Sequence, residues 1–201
     1  MRLPILTKAF VLCLLLQAPH AAGAPAQEDL APGRGVLLVS AGHIQDPRFR
    51  KAVIVLLQAG PGGALGVIIN KPTATRVSSR FRGLGGRGRS GDPLYFGGPV
   101  GGHELLMLRR TDRANADWVA VVDGVFVTNR HTAMMDALMA GRTEEEVRVF
   151  AGYAGWAADQ LEGEIKRGDW FLLAADAALI FRRDATKLWP ELDRKSREIV
   201  L

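Results

Sequence analysis

Short β-branched apolar runs, separated by Gly, Pro and Asn, constrain this chain most strongly. The first three lie at 36–39, 52–57 and 66–69, and short apolar runs bounded by turn residues are typical of buried strands. The link Ala59-Gly60-Pro61-Gly62-Gly63 has turn composition, which predicts an antiparallel hairpin between the second and third runs. Further strands are predicted at 94–96, 104–108, 118–122, 125–128, 171–173 and 178–181.

Helical patterns come later in the chain. Asn129 is expected to cap a helix over 132–140. Thr143, followed by three glutamates, is expected to begin another helix. Because a run of strands precedes the helices and includes a hairpin, the sequence indicates a mixed α+β fold and not a regular βαβ repeat. Two more helices are predicted at about 156–166 and 186–199.

The first 26 residues have the pattern of a secretory signal peptide. Arg2 and Lys8 precede the apolar run 9–16, after which small residues follow. The run is shorter than the roughly 20 apolar residues of a membrane-spanning helix, so no transmembrane anchor is expected. Cleavage is expected near Ala26, which would leave Gln27 first and place the mature protein in the periplasm or outside the cell.

Cleavage would change the composition of the protein in two ways. The formal net charge falls from +5 to +3 with the loss of Arg2 and Lys8, and Cys13, the only cysteine, is removed. The mature chain would therefore have no disulfide, thiolate metal ligand or thiol nucleophile. The residues that remain after cleavage are predicted to form a short linker at 27–34 and a single domain at 35–201.

The segment 76–92 differs in composition from the rest of the chain. It carries five arginines among Ser and Gly, which predicts a long, mobile, cationic loop. Its charge suits nucleic acid, anionic lipid or an acidic partner. We favour a solvated linker, because Phe81 is the one aromatic residue available for stacking on bases. The five are Arg76, Arg80, Arg82, Arg87 and Arg89.

Two glycine-rich patches are the most conspicuous candidates for binding. In Phe96-Gly97-Gly98-Pro99-Val100-Gly101-Gly102, glycines would let backbone amides approach a ligand closely. The order of a phosphate-binding loop is absent, and a tight strand connection is the interpretation we favour. The second patch, 152–161, places Tyr153 and Trp156 among small residues, which favours core packing over a shallow ligand site beside the glycine loop.

No catalytic or metal-binding pattern stands out. There is no G-x-S-x-G motif, and Ser40, His43 and Asp46 supply triad residue types that occur by chance in many chains. The spacing of His43, His103 and His131 does not place two of them on one face. We therefore predict no catalytic residue, no metal and no cofactor.

At several of these motifs the sequence resembles the AlgH/YqgE family. The resemblance covers about 35–189 and implies a bifurcated mixed β-sheet folded into a pseudo-barrel and flanked by helices. It supplies no catalytic residues, and the family name comes from a proposed transcriptional regulator. This chain has Asn129-Arg130-His131 where the family often has Ser-Arg-Asp, and most members lack a signal peptide, so a cytoplasmic location is the alternative. The motifs are Gly35-Val36-Leu37-Leu38, Asp46-Pro47-Arg48-Phe49, Gly66-Val67-Ile68-Ile69-Asn70-Lys71-Pro72, Tyr95-Phe96-Gly97-Gly98-Pro99-Val100 and Gly152-Tyr153-Ala154-Gly155-Trp156.

Three functions remain open on sequence. We favour a non-enzymatic binding or regulatory protein of the bacterial cell envelope, with an unknown small ligand or protein partner. The alternatives are a hydrolase that uses Asp46, Asn70 and the amides of Gly97 and Gly98, and a nucleic-acid-binding transcriptional regulator if the leader does not function. The oligomeric state stays open. The predicted binding residues are Asp46, Asn70, Pro72, Gly97, Gly98, Pro99, Tyr153, Gly155, Trp156 and Gln160.

Overall fold

The computed structural model describes residues 32–112, 114–141 and 146–199. The predicted signal peptide and the helix start expected at Thr143 lie outside the described residues. The strands of the described ranges are β1 Val36–Ser40, β2 Val53–Gly60, β3 Gly63–Ile68, β4 Pro72–Arg76, β5 Pro93–Phe96, β6 Val100–Arg110, β7 Val119–Val122, β8 Val125–Thr128, β9 Glu146–Trp156 and β10 Trp170–Ala174. The α-helices are α1 His131–Ala140, α2 Gln160–Lys166, α3 Ala177–Ile180 and α4 Leu188–Ile199.

The strands form one strongly curled sheet that divides along β9. Its main path runs β10-β1-β2-β3-β9-β6-β8-β7, and β4 and β5 form a side branch. One edge of β9 pairs with β6, while its other edge pairs with β5 at 149–151 and with β3 at 154–156. The β5–β9 pair is parallel and the others are antiparallel, so the mixed, bifurcated sheet and the α+β class are confirmed.

The apolar runs at the start of the chain are buried on both faces. In β1, Leu37 and Val39 point into one cluster with α3 and α4, while Val36 and Leu38 point into a second cluster with α2. This follows from the alternation of side chains along a strand covered on both sides. The predicted hairpin is confirmed as β2–β3, with Gly60 paired to Gly63. None of the described helices has the length and apolar character needed to cross a membrane.

Two of the predictions in the second half of the chain are wrong. Residues 178–181 were expected to form a strand, but 177–180 form α3, because Asp176 caps this turn by accepting a hydrogen bond from the Leu179 amide at 2.7 Å. The chain after Thr143 was expected to be helical, but from Glu146 it forms β9. The alternation of β-branched Val147 and Val149 around Arg148 suits a strand better than a helix.

Helix boundaries also differ from the sequence-based expectation. The N-cap of α1 is Arg130, without a side-chain cap, so Asn129 does not cap this helix. Trp156 ends β9, and α2 begins only at Gln160.

The arginine-rich segment carries more structure than its composition predicts. It contains two 3-10 turns, Val77–Ser79 and Arg82–Leu84. Val77, Phe81 and Leu84 are buried against α1 in a third apolar cluster. The segment is therefore anchored by apolar side chains, and its mobility stays a prediction.

Candidate functional site

Asn70 joins the end of β3 to the start of β2. Its Oδ1 accepts a hydrogen bond from the Val53 amide at 2.8 Å, and its Nδ2 donates to the Lys51 carbonyl at 2.9 Å. The side chain is buried, so the bonds satisfy two backbone groups that would otherwise lack partners. Both ends of the amide are thus occupied inside the protein.

Asp46 is bound by its neighbour Arg48. Its carboxylate accepts from the Arg48 amide at 2.9 Å and from Arg48 Nη2 at 2.6 Å. The side-chain and then the backbone hydrogen bond from Arg48 lower the pKa of Asp46 to about 2. Lys71 closes the same loop, because its Nζ donates to the carbonyls of Pro47 and Arg48 at 3.1 and 2.8 Å. Burial lowers the pKa of Lys71.

The glycine loop lies where the backbone of β9 passes very close. The Gly97 amide donates to the Ala151 carbonyl, and its own carbonyl accepts from the Ile68 amide, both at 2.9 Å. A Cβ on Gly98 would lie 2.1 Å from the carbonyl carbon of Tyr153, and its φ of +154° also disfavours a side chain. The loop is therefore a tight strand connection at the fork of the sheet, as favoured from the sequence.

Trp156 and Gln160 meet at one carboxylate. Glu164 Oε2 accepts from the indole nitrogens of Trp156 and Trp170, each at 2.8 Å, and Glu164 Oε1 accepts from Gln160 Nε2 at 2.9 Å. The two indole rings pack edge to face with centroids 6.0 Å apart. This network fastens α2 to β9 and β10.

Contacts connect some of the predicted binding residues to each other, but not all of them. Phe49, next to Arg48, packs edge to face on Trp170 at 5.9 Å, which connects the 46–51 loop to the Glu164 network. Tyr153 is half-buried against the core beside Gly98. The remaining predicted residues, Pro72, Pro99 and Gly155, are exposed.

The triad residue types do not form a triad. Ser40 is fully buried, and its Oγ accepts from the Ala52 amide at 2.9 Å. His43 Nε2 lies 3.1 Å from Asp169 and not beside Asp46. The hydrogen bond from His43, followed by that from Arg167, lowers the pKa of Asp169. Within the described ranges no group of three His, Cys, Asp or Glu residues is placed to hold a metal ion.

A buried arginine lies beneath a cleft on the other branch of the sheet. Arg148, in β9, is only 7% exposed. Its Nη1 donates to the carbonyls of Ile69 and Ile180 at 3.2 and 2.8 Å, and its Nη2 donates to the Arg182 carbonyl. The guanidinium lies 4.8 Å from the ring centroid of Tyr95. Burial lowers the pKa of Arg148. The cleft has a volume of about 400 Å³.

Comparison with known proteins identifies the family. The family model described as AlgH-like (DUF179) matches residues 37–197. This chain belongs to the AlgH-like family. Within the family, it is 34% identical to the UPF0301 protein MCA0413 1 of Methylococcus capsulatus, over 82% of this chain and 91% of that protein. It is 30% identical to the UPF0301 protein CT0663 of Chlorobaculum tepidum, over 81% and 84%. The resemblance predicted from the motifs is confirmed.

Solved structures agree with the AlgH-like fold. The solution structure of AlgH from Pseudomonas aeruginosa is similar with a TM-score of 0.69 at 20% identity, over 90% of this chain and 94% of that one. The crystal structure of DIP2367 from Corynebacterium diphtheriae also has a TM-score of 0.69, at 22% identity, over 83% and 88%. At these identities the likeness shows the fold alone.

Sequence reasoning missed Arg148 and Glu164 in this AlgH-like chain. Arg148 interrupts the alternating apolar pattern 147–150, where a buried charge is unusual, and that interruption is the signal that could have found it. Glu164 lies four residues after Gln160 on α2, a spacing that places two side chains on one helix face. The indole partners of Glu164 could not be read from spacing.

Proposed function

We propose that this protein is a non-enzymatic binding or regulatory protein of the bacterial cell envelope. The observation that supports it is the occupation of the motif side chains by internal partners: Asp46 by Arg48, and Asn70 by backbone groups of the 51–53 segment. A catalytic group must exchange its hydrogen bonds with substrate during the reaction. Side chains held in this way stabilise a scaffold, and the exposed surfaces of that scaffold are what remain for binding.

The contacts of Asp46 and Asn70 also argue against the hydrolase alternative, because they leave Asp46 unsuited to act as a general base. A carboxylate whose pKa is about 2 has low proton affinity, whereas a general base works best with a pKa near the operating pH. The Asn70 amide is buried, and its Oδ1 and one of its two N–H groups are already bonded to backbone groups, which makes it a poor oxyanion donor. We therefore rank binding above hydrolysis.

A turnover assay tests the absence of catalysis. Purified protein is incubated with chromogenic carboxylic esters, phosphoesters, glycosides and peptide amides, and we expect no turnover above the blank. Turnover that Asp46→Ala or Asn70→Ala abolishes, while the control Glu162→Ala retains it, would refute the proposal. Glu162 is a suitable control because it is an acidic residue of α2 outside these hydrogen-bond networks.

Fractionation tests the location. The leader pattern of the first 26 residues supports export, so we expect the protein in the periplasmic fraction, with N-terminal sequencing starting at Gln27. Recovery of the chain from the cytosol with Met1 attached would refute a role in the envelope.

The arginine-rich surface supports a second candidate, nucleic-acid binding, which requires that the leader does not function. Arg80, Arg82 and Arg87 are exposed, and none of them forms an ion pair within the described part of the chain. The buried side chains of Val77, Phe81 and Leu84 fix the backbone that carries them. Several cations on one anchored surface can bind the phosphates of a nucleic-acid backbone.

Salt dependence tests this second candidate. Binding to duplex DNA should weaken linearly in log K with log salt, and replacing the three arginines by Gln should lower the slope by about 3. A control with the same charge change is Arg50→Gln, Lys166→Gln and Lys195→Gln, three exposed residues outside the segment. No affinity for DNA at low salt, or an equal loss of affinity in both variants, would exclude a specific role of the arginine surface in DNA binding.

A further inference from the structure

We propose that the cleft above Arg148 binds a small amphipathic anion, a carboxylate or phosphate group carried on an apolar body. The assignment rests on the proposed binding function and gives it a ligand class. Arg148 carries the argument because it is a buried cation beneath an open cleft. Three further features of the cleft decide what it can hold: the free hydrogen-bond donors, the balance of charge and the apolar part of the wall.

Arg148 has hydrogen-bond partners, but no carboxylate of the described residues is in direct contact with it. Its three acceptors are backbone carbonyls, and no carboxylate of the described residues forms an ion pair with it. A buried cation is costly unless a negative charge compensates it, because burial removes its hydration. A ligand anion would supply the charge that the neutral carbonyls cannot.

The guanidinium also keeps unused hydrogen-bond donors. It has five N–H groups, and the carbonyls of Ile69, Ile180 and Arg182 take three of them, leaving Nε and one N–H of Nη2. Every fully buried side-chain nitrogen or oxygen of the described residues has a partner, so Nε lies where solvent reaches it. These two N–H groups belong to a planar guanidinium, a group that binds carboxylates and phosphates well.

Tyr95 adds a further donor beside this guanidinium. Its ring stacks under the Arg148 guanidinium at 4.8 Å, and both residues line the cleft. Its hydroxyl has no hydrogen-bond partner in the described ranges, and the same reasoning places it within reach of solvent. A hydroxyl and a guanidinium that face one cleft can hold a single anionic head group.

The charges around the cleft favour an anion. Two carboxylates line it, but Asp92 is 3.4 Å from Arg89 and Glu146 is 3.0 Å from Arg110. Arg183, exposed at the rim, has no ion-pair partner in the described residues. Glu146 also acts on the charge of Arg148, but three arginines, Arg89, Arg148 and Arg183, line the cleft against two carboxylates, so its net charge is positive.

Part of the cleft wall is apolar. Val77, Pro93, Leu138, Val149 and Phe181 contribute to its lining. A volume of about 400 Å³ lies within the range of small-molecule sites. A ligand with a charged head and an apolar body matches this lining better than a free inorganic ion does.

The experiment is a calorimetric titration of the purified full-length protein with octanoate, octyl phosphate and octanol. We expect saturable binding of at least one anion and at least about tenfold weaker binding of octanol, because a charged hydrogen-bond pair is worth a factor of that order. The octanoate and octyl phosphate arms distinguish the two head groups.

Variants locate the binding. Arg148→Lys, which keeps the charge but removes the planar guanidinium, and Tyr95→Phe, which removes only the hydroxyl, should each weaken anion binding about tenfold. Arg183→Gln should weaken it less, and the control Arg194→Gln, an exposed residue of α4, should leave it unchanged. If Arg148→Lys fails to fold, Tyr95→Phe and Arg183→Gln decide the question.

Three results would overturn the proposal: no saturable binding of either anion, equal binding of octanol, or anion binding that Tyr95→Phe and Arg183→Gln leave unchanged. Failure of the proposed function has a different signature, namely substrate turnover in the hydrolase assay or an intact leader in the cytosol. An empty cleft in a protein without turnover would thus reject the ligand site and leave the binding function to another surface.

Discussion

Removing the Glu164 carboxylate should destabilise the protein by about 3 kcal/mol. Its Oε2 accepts from the indole nitrogens of Trp156 and Trp170, each at 2.8 Å. These residues are only 7% and 4% exposed, so in Glu164→Ala both N–H groups lose their acceptor in largely buried surroundings. Each unsatisfied buried donor costs about 1–3 kcal/mol. Glu164 itself is half-buried, so water can replace part of the loss, and we take about 1.5 kcal/mol for each indole.

Urea unfolding followed by tryptophan fluorescence measures this cost. Glu164→Gln keeps one carbonyl oxygen as an acceptor and should lose about half as much stability as Glu164→Ala. Glu162→Ala, in the same helix but outside the network, should change the free energy of unfolding by less than about 0.5 kcal/mol. A loss below about 1 kcal/mol in Glu164→Ala, with unchanged tryptophan emission, would refute the reasoning, because water would then satisfy both indoles.

Two further predictions concern the glycine loop and the 46–51 loop. Gly98→Ala should lower the free energy of unfolding by more than about 3 kcal/mol, because its Cβ would overlap the Tyr153 backbone, whereas Gly102→Ala, with open space around it, should change it by less than about 1 kcal/mol in thermal unfolding. In an NMR titration the Asp46 carboxyl should show a pKa of about 2, moving towards 3.8 in Arg48→Gln. Since the folded-state pKa is depressed, the stability contributed by Asp46 is complete above pH 3.8 and is lost as the pH falls through about 2. An Asp46 pKa unaffected by Arg48→Gln would contradict the assignment of its cause.

The sheet could be predicted where burial is complete. In β1 and β2 every position of the apolar run faces protein on one side or the other, so a continuous β-branched run indicates a strand without ambiguity. The strand prediction failed at 178–181, because short apolar runs occur in helices as well as in strands. Here the Asp176 cap favours the helix. Sequence-based prediction failed again from Glu146, the first residue of β9, because a Thr followed by glutamates satisfies a capping pattern even when valines follow.

The candidate sites were predicted unevenly for a physical reason. Asn70 and the glycine loop could be found because turn residues next to strands have few alternative roles. Arg148 could not be assigned a role, since its partners are carbonyls of residues 69, 180 and 182. Every residue type has such a carbonyl, so a cation bound by backbone leaves no complementary residue in the sequence.

Arg148 connects the cleft to the C-terminal part of the fold. Its carbonyl partners at Ile180 and Arg182 belong to α3 and to the turn that follows it, so one guanidinium both holds this segment on the sheet and faces the cleft. An anion bound to its two remaining N–H groups would not displace those carbonyls, because they occupy the other donors. It would also lower the cost of burying the cation, and so strengthen the attachment of α3. If the proposed ligand binds, its binding and the packing of the C-terminal segment are coupled through a single side chain, whereas the 46–51 loop and the Glu164 network use other residues.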